Sequence, residues 1–351
     1  MLELSVVLIT KNQAWNISRL IESVLRATSC VSSKEIILVD SASTDETVTL
    51  ASLHPVNIFR LKPGQRLSPA IGRHVGYKQT RGEYVLFLDG DTELIPGWLP
   101  RALRMMRERP DAGGITGSVI NLSTSAVAAA HQPAAPVQKT HPAPPKEVLW
   151  CNYGGGGVAM YRRSAMERAG TFNPNLNAEE EPELGLRIRQ AGYRLFELDY
   201  PMAFHYNDAP VAVSSVLSRR RRNFLVGMGQ GARYHLGTKL FWMWLRERWW
   251  GPASALLLAS GLATIFLSLI MSDLRWFGVW ILGLCSLIAY VAFRKRSLRG
   301  GLVAAFNWLV MAEGFFKGIM MKPLPPENFH ANLEMVKESR GQRLVMAADG
   351  P

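Results

Sequence analysis

Acids stand where apolar strands run out at two places in this chain. The run EIILVD (Glu35–Asp40) ends in Asp40, and YVLFL (Tyr84–Leu88) runs straight into Asp89 and Asp91, held apart by Gly90. Two carboxylates one residue apart repel each other. Their hard oxygens suit Mg²⁺ or Mn²⁺, and Mg²⁺ usually takes one or two carboxylates plus substrate phosphates. Asp-Gly-Asp by itself is a common solvated turn, so its place beyond an apolar strand is what points to a metal. A second acidic group, Glu179-Glu180-Glu181-Pro182-Glu183, precedes a helical pattern. Pro182 fits the first helical position and puts Glu181 at the N-cap, where the helix dipole favours the ionised form that a general base needs. The competing reading is an acidic first turn that stabilises its helix. Gly154–Gly157 allows close backbone approach to a ligand, or is simply a turn.

The elements that must position these residues alternate along residues 1–120. Ser5–Ile9 reads as a strand, followed by Ile17, Leu20, Ile21, Val24 and Leu25 at helical spacing. Strands then follow at Glu35–Asp40, Val56–Leu61 and Glu83–Asp89. The sequence Ser43-Thr-Asp-Glu46 reads as a capping box opening a second helix. Ser68-Pro69 starts a third helix, and Trp98–Arg109 forms a fourth. This βαβ order implies an α/β fold with a mostly parallel sheet flanked by helices. Ligands bind such sheets beyond the carboxyl ends of the strands, where Thr10, Asp40 and Asp89 lie. The Ala/Ser/Pro-rich segment 122–149, with five prolines between Pro133 and Pro145, reads as a mobile excursion within a catalytic domain spanning 1–215.

The 351 residues carry 40 Lys+Arg against 28 Asp+Glu, a formal +12. Between Arg219 and Arg248 there are eight basic residues and one acid, directly before the most apolar part of the chain. The surplus therefore points to a membrane surface rather than nucleic acid. Residues 252–271 and 276–293 carry no charge, and each is long enough to cross a hydrocarbon core of roughly 30 Å. The short turn between them makes a transmembrane hairpin within a membrane region covering 251–321. Basic clusters flank both outer ends, and the positive-inside rule places them, and the N-terminal domain, in the cytoplasm. In a bacterium the membrane would be the inner one. Residues 301–321 contain Asn307, Glu313 and Lys317 and lean amphipathic, so a helix lying in the interface is favoured over a third span. Residues 216–250 read as basic juxtamembrane helices, with Trp242, Trp244, Trp249 and Trp250 as an interfacial belt. Residues 322–351 read as a polar tail. Three widely spaced cysteines fit neither a disulfide framework nor a zinc site.

Four blocks, in order, carry a resemblance. SVVLITKNQ (5–13), ILVDSASTDET (37–47), SPAIGRHVGYKQTRGEYVLFLDGDTEL (68–94) and GGGVAMYRRSAMERAGTFNPNLNAEEEPELGLRIRQAGYRL (155–195) resemble family 2 glycosyltransferases of the nucleotide-diphospho-sugar, or GT-A, fold. The likeness covers roughly residues 3–208. It implies that Asp40 contacts the base or ribose, with Thr10 and Asn12 lining the base pocket, and that Arg73 approaches the diphosphate. It further implies that Asp89 bonds ribose or metal, that Asp91 is the main ligand of Mn²⁺ or Mg²⁺, that Glu181 is the catalytic base, and that His205 completes the metal or diphosphate site. Ser41, His74 and Lys11 depart from the family pattern, and Glu181 stands where Asp is commoner.

The chemistry has its own logic. Sugar transfer needs a base for the acceptor hydroxyl and a Lewis acid for the departing diphosphate. The reading is a membrane-anchored, inverting glycosyltransferase that uses a nucleotide sugar, a UDP-sugar in the first instance. Its acceptor would be lipid-linked, in cell-surface polysaccharide or glycolipid synthesis. Two alternatives stand beside it: transfer to a polyprenyl phosphate, which needs no base, and a non-catalytic nucleotide-binding membrane scaffold.

Overall fold

The computed structural model describes residues 2–124, 143–149, 157–207 and 213–339. Most of the segment 122–149, Gly154–Gly156 of the glycine run, and Cys151 lie outside the described residues; Cys30 and Cys285 are free and exposed. The chain forms two compact units. One comprises Met1–Asn175, Glu180–Asp208 and Pro325–Pro351, the other Leu176–Glu179 and Ala209–Leu324.

The first unit opens with β1 (Leu4–Thr10), α1 (Ile17–Ala27), β2 (Lys34–Asp40), α2 (Thr47–Ala51), β3 (Asn57–Leu61), α3 (Pro69–Lys78), β4 (Tyr84–Asp89), β5 (Thr92–Leu94) and α4 (Trp98–Glu108). It continues through β6 (Ala112–Leu122), β7 (Lys146–Val148), β8 (Ala159–Arg162), α5 (Arg163–Ala169), α6 (Glu180–Gln190) and β9 (Arg194–Tyr206). Among the described residues the sheet order is β10-β3-β2-β1-β4-β8-β6-β9-β5, with β7 on β9 and β10 spanning Leu333–Lys337. The parallel character read from the sequence holds for β3, β2, β1 and β4. Beyond β4 the sheet is mixed: β8 runs antiparallel to β4 and β6, while β6 and β9 are parallel.

Period-2 alternation explains why the central strands are mostly apolar on both faces. In β1, Leu4, Val6 and Leu8 enter the core under α1 and α4, while Val7 and Ile9 enter a second core on the opposite face. Strand β4 divides in the same way, Leu86 and Leu88 to the first core, Val85 and Phe87 to the second. A strand buried on both faces has little room for polar residues inside the sheet. Near their starts β1 and β2 carry one buried polar pair, Ser5 Oγ donating to Glu35 Oε1 at 2.6 Å, and the next polar groups, Thr10, Asp40 and Asp89, stand at the carboxyl ends. Register sets Thr10 level with Asp40, and Ile9 level with Asp89.

Local start signals divide. Ser68 Oγ accepts from Ile71 N at 3.3 Å with Pro69 in the first turn, as the sequence implies. Ser43 does not cap α2, which begins at Thr47 without a side-chain cap from its N-cap residue, Glu46. Its hydroxyl bonds Asp40 and accepts from Asn12 N instead. The tertiary partner outcompetes the local box. Residues 122–149 also contain regular structure at both ends: β6 runs to Leu122, and β7 pairs with β9.

Part of the expected polar tail belongs to the sheet. Strand β10 pairs antiparallel with β3, and Phe329 and Leu333 pack on the cluster of Ile37, Val39, Phe59, Leu61, Ile71 and Val75. Lys337 Nζ donates to the carbonyls of Ser52 and His54, each at 2.6 Å. Its alternation is too short and too polar to be read as a strand without the apolar edge it covers.

The second unit contains α7 (Val213–Arg221), a 3-10 turn at Phe224–Val226, α8 (Gly227–Tyr234), α9 (Lys239–Glu247), α10 (Trp250–Ile270), α11 (Arg275–Arg294) and α12 (Leu298–Met320). Helices α10, α11 and α12 are each long and apolar enough to cross a membrane. The first two pack as a hairpin, with Trp280 against Gly261 and Trp280 Nε1 donating to Ser260 Oγ at 3.1 Å. The polar residues that favoured an interfacial position for α12 have partners here. Glu313 accepts two hydrogen bonds from Arg220, and Lys317 donates to Asn223 Oδ1 at 2.8 Å. Helix α12 closes tightly on α8, where a Cβ on Gly229 would lie 2.1 Å from the Phe315 carbonyl oxygen. The four tryptophans also part company. Trp244 is buried, its Nε1 donating to Met228 O at 2.8 Å, whereas Trp242 and Trp249 are exposed.

Candidate active site

Arg73 lies at the centre of the site, on α3. Its guanidinium is 2% exposed and holds three carboxylates: Glu180 Oε1 at 2.6 Å, Asp89 Oδ1 at 2.7 Å and Glu181 Oε1 at 3.0 Å. Asp89 comes from the end of β4, and the two glutamates from the first turn of α6. The helix starts at Glu180, two residues earlier than the Pro182 start that the capping argument for Glu181 implies. Glu181 is thus inside the first turn, still at the positive end of the dipole.

The guanidinium that the resemblance directs at a diphosphate is therefore engaged elsewhere. It is buried and fully charged, because the three acids outweigh the burial that opposes its charge. Its role in this structure is to gather acids. Burial raises the Asp89 carboxyl above the usual carboxylate range, Arg73 pulls it back, and Asp91 and Glu181 push it up again. Burial likewise pushes Glu180 up to about 8, with Glu181 adding to the rise and Arg73 opposing it. Gly157 closes over this group at φ +58°, its backbone so near that a Cβ would lie 2.0 Å from Arg73 Nη2 and 2.2 Å from Asp89 Oδ2.

Asp91 faces a different neighbour. Its Oδ1 is buried without a hydrogen-bond partner, and its Oδ2 lies 3.5 Å from His205 Nε2. The hydrogen bond to Asp91 raises the His205 pKa against the opposing effect of burial. His205 Nδ1 is hydrogen-bonded with Asn121 Oδ1 at 2.8 Å across the β6–β9 pair, and Nε2 is turned toward Asp91. An imidazole held at one nitrogen with the other presented beside an orphaned carboxylate oxygen is a donor set for a divalent cation. Among the described residues, no three His, Cys, Asp or Glu side chains form a ready metal cluster, and Asp89 Oδ1 is engaged by Arg73. Two protein donors fit Mg²⁺ or Mn²⁺ chemistry, in which water and phosphate supply the rest.

The turn carrying these acids is fixed from behind. Asn16 Nδ2 donates to the carbonyls of Gly90 and Thr92, both at 3.0 Å. The β1 and β2 loops lace together: Asn12 N donates to Ser43 Oγ at 2.8 Å, Thr44 N donates to Asn12 Oδ1 at 2.9 Å, and Gln13 N donates to Thr47 Oγ1 at 2.7 Å. Asp40, expected to touch the base or ribose, is fully buried, and both its oxygens bond Ser43. It shapes the loop, while the exposed groups at this corner are Lys11 and Asn12 from the β1 side and Thr44, Asp45 and Glu46 from the β2 side. Thr10 is buried next to them, its Oγ1 without a hydrogen-bond partner.

Of the residues singled out from the sequence, Arg73, Asp89 and Glu181 meet in one cluster and Asp91 and His205 in a second, two residues along the same turn. Thr10, Asn12 and Asp40 form a third group at the β1–β2 corner. Sequence reasoning missed Asn121 and Glu180 as site residues. Glu180 was visible as one of a run of acids. Asn121 had no sequence signal, because its role exists only through strand pairing.

Residues 5–170 match the model of glycosyl transferase family 2. The matched stretch lies in the N-terminal domain and is just under half of the chain. Polypeptide N-acetylgalactosaminyltransferase 3 of Drosophila melanogaster is 36% identical over 112 residues, 30% of this chain and 16% of that protein. An uncharacterized glycosyltransferase of Haemophilus influenzae is 30% identical over 109 residues, 31% of this chain and 36% of that protein. The matches thus span well under half the length of these relatives. The mannosyltransferase PcManGT from Pyrobaculum calidifontis, solved in complex with GDP-Man and Mn²⁺, superposes with TM-score 0.56 at 19% identity, covering 91% of this chain and 87% of that one. A TarS fragment from S. aureus in complex with UDP-GlcNAc gives 0.50 at 16% identity, covering 90% and 92%. At such identities the likeness is one of fold.

Proposed function

We propose that this chain is a metal-dependent, inverting glycosyltransferase that moves a sugar from a nucleotide-diphospho-sugar to a hydroxyl of a lipid-linked acceptor. The observation that carries the reading is the Asp91–His205 pair with its unpartnered buried oxygen, two residues from an acid cluster containing Glu181. Asp91 and His205 would hold Mn²⁺ or Mg²⁺, which supplies charge stabilisation at the leaving diphosphate. Glu181 takes the proton from the attacking hydroxyl, and attack on the anomeric carbon inverts its configuration. Arg73 orients Glu181 and balances the acids around it. The laced β1–β2 corner, with Thr10, Asn12 and Lys11, receives the base and ribose, and a UDP-sugar is the first donor to test. Three helices able to cross a membrane support an acceptor presented at the bilayer, in polysaccharide or glycolipid assembly. With the cation-rich helix ends inside, the family 2 domain lies in the cytoplasm.

A polyprenyl phosphate acceptor is the second reading. It is favoured by the engagement of Glu181 Oε1 with Arg73, because a phosphate acceptor is already a nucleophile and needs no base. Activity that survives Glu181→Gln but not Asp91→Asn selects it.

The test is thermal unfolding of the detergent-solubilised protein with UDP, GDP, CDP or dTDP, each with and without Mn²⁺. A ligand at about 100 times its Kd adds roughly 2.7 kcal/mol. One nucleotide is expected to stabilise only with Mn²⁺, and Asp91→Asn to lose the effect. Folded protein that responds to no nucleotide overturns the proposal, and binding without sugar turnover reduces it to a nucleotide-binding scaffold.

A further inference from the structure

Helix α9 and the residue pair after it present one outward face: Lys239, Trp242, Arg246 and Trp249, spaced three, four and three apart. Trp242 is 72% and Trp249 64% exposed, and both cations are exposed. The opposite face is occupied, with Leu240 and Trp244 buried. A folded helix that keeps two indoles in solvent has an unfilled contact. The next residue, Trp250, begins α10, so this face sits at the mouth of a candidate span.

A second observation concerns the other strand of the hairpin. Because α10 and α11 run antiparallel, the end of α11 returns to the level where α10 starts. That end carries the exposed run Arg294-Lys295-Arg296. The end of α11 thus brings exposed cations to the end of the hairpin that Trp249 precedes in the chain. Indoles prefer the headgroup level of a bilayer, and juxtamembrane cations are drawn to anionic lipid.

We propose that the Lys239–Trp242–Arg246–Trp249 face of α9 lies in the membrane interface and, with the basic end of α11, binds the headgroups of anionic phospholipids. The occupant follows from charge complementarity and from continuity with the spans. The proposal rests on the membrane part of the reading above and is independent of glycosyl transfer.

The test uses the full chain reconstituted into phosphatidylcholine and into an equal mixture with phosphatidylglycerol, after resistance to carbonate extraction has shown that it is embedded. Spin-labelled phosphatidylglycerol and phosphatidylcholine report which lipid the protein immobilises. The wild type is expected to prefer phosphatidylglycerol, by about 5-fold for each cation that a headgroup faces. Lys239→Gln with Arg246→Gln lowers the preference, and added salt weakens it in the wild type. Thermal unfolding of this double variant stays unchanged, because both side chains are exposed. Equal immobilisation of the two lipids by the wild type overturns the proposal and leaves the face to a protein partner. An unaltered preference in the double variant also overturns it, by placing the headgroups elsewhere. Extraction by carbonate would remove the membrane reading itself, a failure distinct from both.

Discussion

Replacing Gly157 by alanine probes the centre of the site without altering any charge. Two costs add. At φ +58° an L residue loses roughly 1–2 kcal/mol relative to glycine. The new methyl would also lie 2.0 Å from Arg73 Nη2 and 2.4 Å from Asp89 Cγ, where ordinary contact begins at 3.4 Å. Arg73 cannot swing aside cheaply, since it is 2% exposed and held by three acids. The Arg73–Asp89 bond must open. Breaking a buried ion pair costs about 3–5 kcal/mol, and the lower end applies because Asp89 is 27% exposed and Arg73 keeps two other partners. The sum is about 4–5 kcal/mol. Gly64→Ala is the matched control: its φ is +87°, and nothing lies within 4 Å of the added Cβ, so it isolates the backbone cost of about 1–2 kcal/mol. At about 2–4 °C per kcal/mol for a unit of this size, differential scanning fluorimetry should show a fall of about 10 °C or more for Gly157→Ala and about 4 °C for Gly64→Ala. Nucleotide stabilisation in Mn²⁺ should also vanish in the first variant and persist in the second. Equal falls for the two refute the argument that Gly157 is required by the Arg73–Asp89 contact.

Three other outcomes can be checked on the same material. Glu180 has its folded pKa raised to about 8 from an ordinary 4.5, so between those values the folded state holds a proton that the unfolded chain has lost, and stability falls as pH rises through that window. Glu180→Gln should therefore gain at least about 1 kcal/mol on the wild type in going from pH 5 to pH 9, read by chemical denaturation; a constant difference across that range refutes the assignment. Trp244→Ala should lower the thermal stability of the second unit by about 3–5 kcal/mol, since the indole is 1% exposed and bonded to Met228 O, while Trp242→Ala should change it by less than about 0.5 kcal/mol. Gly229→Ala places a methyl 2.1 Å from the Phe315 carbonyl and should separate α8 from α12, seen as faster proteolysis of α12 in detergent; protection equal to wild type removes the close crossing as a cause of stability.

The sequence made some of this legible because local periodicity and tertiary need agreed. The β1 run, the spacing of Ile17, Leu20, Ile21 and Val24 in α1, and the Ser68-Pro69 start of α3 are all signals whose cause lies within a few residues. Ser43 shows where such reasoning fails. Its capping pattern was sound, but a buried carboxylate three residues earlier gave its hydroxyl a partner that solvent could not displace. Strand β10 and the polar residues of α12 share one feature that local pattern does not carry. Each is explained by a partner distant in sequence, the apolar β3 edge for one and Arg220 and Asn223 for the other.

The site divides along the same line. Asp89, Asp91 and Glu181 stood out because carboxylates at a strand end or helix start need a reason to be there. What the sequence could not state is how their charges are balanced. Four carboxylates, Asp89, Asp91, Glu180 and Glu181, share a neighbourhood with one buried guanidinium, Arg73, and one imidazole, His205. With all four acids ionised, Arg73 leaves an excess of three negative charges. The protein meets part of that excess by raising the proton affinity of Glu180 and Asp89. It leaves Asp91 Oδ1 buried without a hydrogen bond, a state that costs about 1–3 kcal/mol, or more for a charged group. A fold stabilised for its own sake would give that oxygen a donor. The arrangement is explained if the missing partner is a cation that arrives with the substrate: the folded domain then carries an electrostatic deficit that binding removes, and part of the affinity for a metal-bound diphosphate is set before the substrate appears.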